Sequence, residues 1–154
     1  MTIHDENEVM PNLVNPVEEM TLDFIKTSKI NEMSYQCKKI IENGFDLELR
    51  DATHHFSLTT QDQLNLMSLG TMAQTSNEIP YHADGEEVIF YTSEEINQII
   101  AAANAFKTYQ TTYYNSLKAY INSLESIEEI SAIEYGIEIP EKFKTEVLKA
   151  LEHK

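Results

Sequence analysis

Residues 92–124 read TSEEINQIIAAANAFKTYQTTYYNSLKAYINSL, and this stretch decides the fold. Apolar residues recur in it at alternating steps of three and four, which places them on one seam of an α-helix. The seam consists of Ile96, Ile99, Ala103, Phe106, Gln110, Tyr113, Leu117, Tyr120 and Leu124. A capping-box pattern, Thr92 with Glu95, marks its start. We therefore predict one long helix over about 93–124.

The length of this helix bears on what it packs against. A helix of about 32 residues is about 48 Å long, whereas a compact domain of this size has a radius of gyration near ~15 Å. We expect part of the helix to protrude or to pack on another copy. The seam leaves open whether its partner is the chain's own core or a second copy. Gln110, its polar interruption, is then a candidate for fixing helix register.

Composition excludes several classes of protein. The 154 residues carry a net charge of −15, so nucleic acids and anionic membranes would repel the chain. One cysteine, Cys37, permits no intramolecular disulfide and argues against a disulfide-stabilised secreted domain. No apolar run is long enough to span a bilayer, and the acidic N-terminus does not resemble a signal peptide. We expect a single soluble domain made in a cytoplasm.

Two segments precede the first strand pattern. Residues 1–14 are acidic and aperiodic, which indicates an arm. A short helix is predicted from Asn15 and Pro16. Its apolar face consists of Val17, Met20 and Phe24. This helix is a candidate docking element, or it folds back on its own core. A second helix is predicted over 28–43 and ends at Gly44. We therefore divide the chain into an arm, 1–27, and one domain, 28–154.

The rest of the chain mixes strands and helices. Alternation from Phe45 to Leu49 predicts a hairpin with its turn at 51–53, and Asp84-Gly85 predicts the turn of a second. A helix between them is predicted to share Leu64, Met67 and Met72 on one face. Pro140 is predicted to open a final helix. The fold class is α+β, predominantly helical, with two small β-hairpins packed on a long central helix.

Candidate chemistry is sparse. His82, Asp84, Glu86 and Glu87 could hold a divalent cation, but the simpler interpretation is a turn whose acids face water. No G-x-S-x-G elbow or phosphate-binding loop is present, and Cys37 falls within an apolar stripe. We expect no catalytic residues, no metal and no cofactor, and hence no enzyme.

Several runs of residues are similar to a known domain. They are IENGFD at 41–46, HFSLT at 55–59, DQ at 62–63, NL at 65–66, YHADGE at 81–86, YYNSLK at 113–118 and IEYG at 133–136. Over roughly residues 28–140 the chain resembles a domain of uncharacterised function encoded in the tail modules of bacteriophages and prophages. That domain occurs at the C-termini of tail-fibre and related tail proteins.

The resemblance implies a virion structural protein. It would be a tail, baseplate or fibre-associated adaptor, made in the host cytoplasm and then part of the virion tail. Its expected partners are other tail, baseplate or fibre proteins and copies of itself, a trimer being one form, with no nucleic acid and no membrane. One alternative is a tail-fibre assembly chaperone. Another is an acidic intracellular inhibitor or regulator that binds a basic partner.

Overall fold

The computed structural model describes the backbone of residues 6–153 and the side chains of residues 21–153. In chain order its elements are α1 (Glu6–Asn43), β1 (Phe45–Leu49), β2 (Ala52–Phe56), α2 (Thr60–Met72), β3 (Ile79–Tyr81), β4 (Ile89–Tyr91), α3 (Ser93–Ser123), α4 (Ile127–Ser131), a 3-10 turn (Glu141–Phe143) and α5 (Glu146–Glu152). The predicted α+β class, mostly helical with two hairpins on a long helix, is confirmed. Within the described part of the chain, no helix is long and apolar enough to cross a membrane.

The start of α3 forms as its sequence predicts. The Thr92 hydroxyl accepts a hydrogen bond from the Glu95 amide at 3.1 Å, and the Glu95 carboxylate accepts one from the Thr92 amide at 2.9 Å. Arg50 reaches the same carboxylate from the first hairpin with two contacts of 2.6 and 2.7 Å. The Arg50 guanidinium holds the pKa of Glu95 down at about 2. One carboxylate therefore caps the helix and anchors the hairpin to it.

The seam of α3 packs on its own chain. Its N-terminal half joins a cluster with both hairpins and the end of α1, and its C-terminal half joins a cluster with α1, α4 and the C-terminal segment. Ile96, Ile99 and Leu117 are fully buried. The half-buried seam side chains lie against these two clusters: Phe106, Tyr120 and Leu124. The seam of α3 therefore packs against the rest of its own chain. Two hydrophobic clusters of that chain follow one another along the helix.

The N-terminal segment differs from its prediction. A single helix, α1, runs where the sequence predicts two, since no glycine or proline interrupts the chain between Val17 and Asn43. Its inner face is marked by Met33, which is 1% exposed, and its outer face by Phe24, which is 68% exposed. The two residues are nine positions apart, which is 180° around a helix.

Two lysines fasten α1 to the helix ends beside it. The Lys26 ammonium donates to the carbonyl of Asn122 at 2.9 Å, in the last turn of α3. The Lys29 ammonium donates to the carbonyl of Ile133 at 3.0 Å, just beyond α4. Cations are favoured at helix C-termini, where carbonyls lack partners within the helix. These contacts align α1 with the C-terminal half of α3.

Both hairpins form, and the turn of the first differs from its prediction. In the first, Leu49 pairs with Ala52, so the turn lies at Arg50 and Asp51, whose φ angles are 55° and 64°. This geometry usually selects glycine or asparagine, which is why the sequence misplaces the turn. In the second, Asp84 and Gly85 form the predicted turn, since the Glu86 amide donates to the Ala83 carbonyl at 3.1 Å. The turn lies within a connection of residues 82–88, because β3 and β4 pair over only three residues each.

Two helix predictions need correction. Helix α2 buries Leu66 and Leu69, together with Ala73 just beyond it, while the predicted face is exposed: Leu64 53%, Met67 71% and Met72 42%. Apolar residues surround this helix on most sides, so periodicity alone does not select the inner face. The final helix begins after Thr145 rather than at Pro140, because the Thr145 hydroxyl accepts from the Leu148 amide at 3.0 Å.

Candidate interaction site

Gln110, the polar residue of the seam, makes its hydrogen bonds within the chain. The Tyr135 hydroxyl donates to the side-chain oxygen of Gln110 at 2.9 Å, and the Cys37 thiol donates to the Gln110 carbonyl at 3.6 Å. The neighbouring Tyr113 hydroxyl donates to the Ile137 carbonyl at 2.6 Å. These bonds fasten the segment after α4 to the middle of α3. Gln110 is therefore bonded within its own chain, and its role in helix register stays a prediction.

Cys37 is part of the core. Its side chain is 5% exposed within the first cluster, and burial raises the pKa of the thiol. A raised pKa keeps sulfur protonated, whereas a nucleophilic cysteine needs a stabilised thiolate. The arrangement favours a packing role for this residue, in line with its position in an apolar stripe.

The candidate cation ligands of the second hairpin point to different partners. The Nδ1 atom of His82 lies 2.9 Å from the carbonyl of Ala83, and the Asp84 carboxylate accepts from the Ser57 amide at 3.3 Å. Glu86 contacts His54 instead. Among the side chains that the structure describes, no three histidine, cysteine or acidic residues gather where one ion could be held.

The adjacent histidines of β2 are each held by two acceptors. The Nδ1 atom of His54 lies 2.8 Å from the Glu86 carboxylate, and its Nε2 atom lies 3.1 Å from the carbonyl of Leu49. His55 repeats the pattern, with Nδ1 2.7 Å from the Asp46 carboxylate and Nε2 2.5 Å from a backbone carbonyl. A neutral imidazole has one N–H, so only the imidazolium satisfies both acceptors. The carboxylate hydrogen bonds raise the pKa of both rings above the ordinary 6.5.

This geometry predicts a stability that falls as pH rises. A pKa raised by folding contributes stability that is fully present below the unfolded value and is lost as pH climbs through the folded pKa. We expect the free energy of unfolding to decline above about pH 6.5, and the decline to shrink in a His54→Gln, His55→Gln double variant. Urea unfolding between pH 5.5 and 9 measures it. His153→Gln, at the exposed end of α5, is the control and should keep the wild-type slope.

An open groove runs along α3 beside the buried seam. Its larger part, about 510 Å³, lies between α2 and α3, and an adjoining part of about 290 Å³ lies between α1, α3 and the start of α2. Gln63 of α2 and Lys107 of α3 line both parts, and their side chains hydrogen bond at 2.6 Å where the two parts meet. The α3 wall is a regular stripe of Asn97, Ile100, Asn104, Lys107, Thr111 and Tyr114.

The spacing of this stripe is that of a helix-packing surface. Its steps are three, four, three, four and three residues, and it spans about 26 Å of α3. The rest of the larger part is mixed, with the apolar side chains of Leu58, Leu66 and Met67 beside the polar side chains of Gln63, Thr71 and Gln74. The predicted seam includes none of the six residues of this stripe. The alternating spacing was a signal for the groove, but the polar residues in the stripe hide it.

The charge of the groove differs from that of the chain. Among the described residues no carboxylate lines its larger part, and Glu42 is the carboxylate that lines the smaller part. Lys107 and Lys38 line the groove, and neither has a carboxylate within 4.0 Å among the described residues. In a chain of net charge −15, a groove with two such lysines is complementary to an acidic, partly apolar ligand.

The predicted docking face is only partly described. Phe24 lies on the outer side of α1, pointing away from the core. The side chains of Val17 and Met20 lie outside the described residues. Phe24 therefore stands as an exposed aromatic residue on a helix that enters the domain.

The fold and its surface together define a small α+β domain with an open groove along its long helix. The chain belongs to the family described as a domain of unknown function (DUF4376), whose model matches residues 24–136, well over half of the sequence. No curated protein and no solved structure matches the chain. The match begins at Phe24, so α1 carries the chain into the family domain as one continuous helix.

Proposed function

We propose that this protein is a phage virion structural component, an adaptor of the tail, baseplate or fibre that binds copies of itself and neighbouring tail proteins. The observation that carries the proposal is the open groove along α3, whose apolar side chains and two lysines without a carboxylate partner among the described residues suit a protein segment as ligand. Binding by a helix laid into a groove is a common mode of protein recognition. The similarity to domains of phage tail modules supplies the setting.

The continuous α1 supports an adaptor role. A rigid helix that joins an upstream segment to a compact body transmits a fixed orientation between two partners. In the family region, the first helical turns carry an exposed aromatic side chain, Phe24, on the outer face. An exposed aromatic residue on a solvent-facing helix is typical of an interface, where such side chains are enriched. No membrane or nucleic-acid partner enters the proposal.

The protein composition of purified particles tests this function. Phage particles or induced prophage tails from a host carrying the gene are purified on a density gradient and analysed by quantitative mass spectrometry. We expect the protein in the particles at a constant ratio to the major tail proteins, in several copies per tail. A tail-fibre assembly chaperone would co-purify with fibre protein in the lysate but be missing from finished particles. That distribution would contradict a structural role.

The second alternative makes a different prediction. An acidic inhibitor or regulator would bind a basic host or phage protein through its −15 charge, and its binding would weaken steeply with salt. The same lysate, fractionated at low and high ionic strength, separates the two. A tail component stays with the particles at both salt concentrations, whereas an electrostatic inhibitor dissociates from its partner at the higher one.

A further inference from the structure

The groove along α3 has walls suited to a helix. Its α3 stripe extends for about 26 Å, which is the length of a helix of about 17 residues. Alternating three and four residue steps are the spacing with which one helix receives the side chains of another. A helix of that length with an apolar face would fit this groove.

The positive charge of the groove favours a ligand with acidic residues beside its apolar face. Lys107 sits where the two parts of the groove meet, and its partner among the described residues is the neutral side chain of Gln63 at 2.6 Å. Lys38 adds a second positive charge in the smaller part. Elsewhere in the fold, lysines such as Lys29 and Lys144 have carboxylate partners. A ligand with carboxylates beside its apolar face would neutralise the charges of these two groove lysines.

The chain itself contains such a segment. Val17, Met20 and Phe24 recur at three and four residue steps, and they are flanked by Glu18, Glu19 and Asp23 with no basic residue between. Phe24 is 68% exposed and lies 180° around α1 from Met33, which packs into the core. Because α1 holds Phe24 away from its own body, the segment can reach a groove only on another molecule.

We propose that the outer face of α1 in one protomer, around Phe24, docks into the α2–α3 groove of a second copy. The inference rests on the proposed function, for which it supplies the self-assembly contact. The two interacting surfaces differ, so the contact is heterologous and closes into a ring if the rotation between protomers allows it. Phe24 enters the apolar part of the groove, and the adjacent Asp23 carboxylate pairs with a groove lysine, Lys107 or Lys38.

Photo-cross-linking of the full chain tests the docking. Phe24 is replaced by benzoylphenylalanine, a conservative change at an exposed position, and equal amounts of ¹⁴N- and ¹⁵N-labelled protein are mixed, irradiated and mapped by mass spectrometry. We expect cross-links between labelled and unlabelled chains to residues 63–74 and 97–114. The same probe at Phe90, which is 63% exposed on β4, is the matched control and should not give them.

Charge variants test the lysines separately. Lys107→Glu should lower the yield of intermolecular cross-links from position 24 about fivefold or more, since attraction becomes repulsion at the centre of the groove. Lys118→Glu makes the same charge change on an exposed part of α3 outside the groove and should leave the yield unchanged. Thermal melting confirms that both variants fold.

The outcomes separate this inference from the proposed function. Cross-links from position 24 that fall outside the groove, that stay within one chain or that do not form would overturn the docking, and so would equal yields in the Lys107 and Lys118 variants. If a different tail protein fills the groove, the cross-links from position 24 to the groove will also be absent, and the self-docking is again overturned. If the protein is nevertheless found in purified particles, the structural role stands and only the self-docking is wrong.

Discussion

Gly44→Ala is expected to lower the free energy of unfolding by at least about 4 kcal/mol, a large share of the 5–15 kcal/mol typical of a whole domain. Gly44 joins α1 to β1 with φ at +89°. A Cβ atom there would lie 1.8 Å from the carbonyl oxygen of Phe56 and 2.6 Å from the Cα atom of Ser57. Both are backbone atoms of the first hairpin, so no side-chain movement relieves the overlap. Urea or thermal unfolding measures the loss.

Gly136→Ala is the control that separates the clash from the backbone strain. Gly136 also has a positive φ, +105°, but no atom lies within 4 Å of its Cβ position. Only the left-handed conformation is then penalised, at about 1–2 kcal/mol. Equal losses at the two glycines would mean that the close approach of the hairpin to the end of α1 is wrong.

Leu117→Ala is expected to cost about 3 kcal/mol and to leave the mass of the assembly unchanged. Leu117 lies in the α3 seam and is 0% exposed in the single chain, packed within the cluster around α1 and α4. Truncating a fully buried leucine removes its transfer free energy and leaves a cavity, which costs 2–5 kcal/mol in most cores. Urea unfolding gives the energy, and light scattering of the folded variant gives the mass.

Val147→Ala is the matched truncation on the surface. Val147 is 56% exposed on α5, so its loss should change the unfolding free energy by less than about 0.5 kcal/mol. A seam shared between copies would behave differently. Leu117→Ala would then dissociate the assembly while the stability of the protomer stayed near that of the wild type.

The parts of the fold that the sequence predicts are those fixed locally. Thr92 with Glu95 forms the capping box because both partners lie within one turn, and Gly44 ends α1 because few other residues accept its φ. The seam is also predicted, since a helix of this length has a clear period. The apolar period of the α3 seam does not identify what packs against the seam. Side chains from the rest of the same chain and side chains from a second copy fit that period equally well.

The parts that fail depend on contacts distant in the sequence. Helix α2 has apolar residues on several faces, and only packing against α3 selects Leu66 over Met67. The groove is hidden for the same reason, since Asn104 and Lys107 break the apolar pattern although they share its spacing. The predicted docking face, by contrast, needs only the helical period of α1 to place Phe24, and the structure exposes that residue.

The most direct test of self-assembly through the outer face of α1 is the solution mass of the full chain and of Phe24→Asp, by light scattering. The wild type is expected at a multiple of the 17.7 kDa protomer mass, and Phe24→Asp at the protomer mass, because a charge replaces the aromatic contact. Phe90→Asp, equally exposed on β4, should assemble like the wild type. A monomeric wild type, or a Phe24→Asp protein that keeps the wild-type mass, would contradict the account.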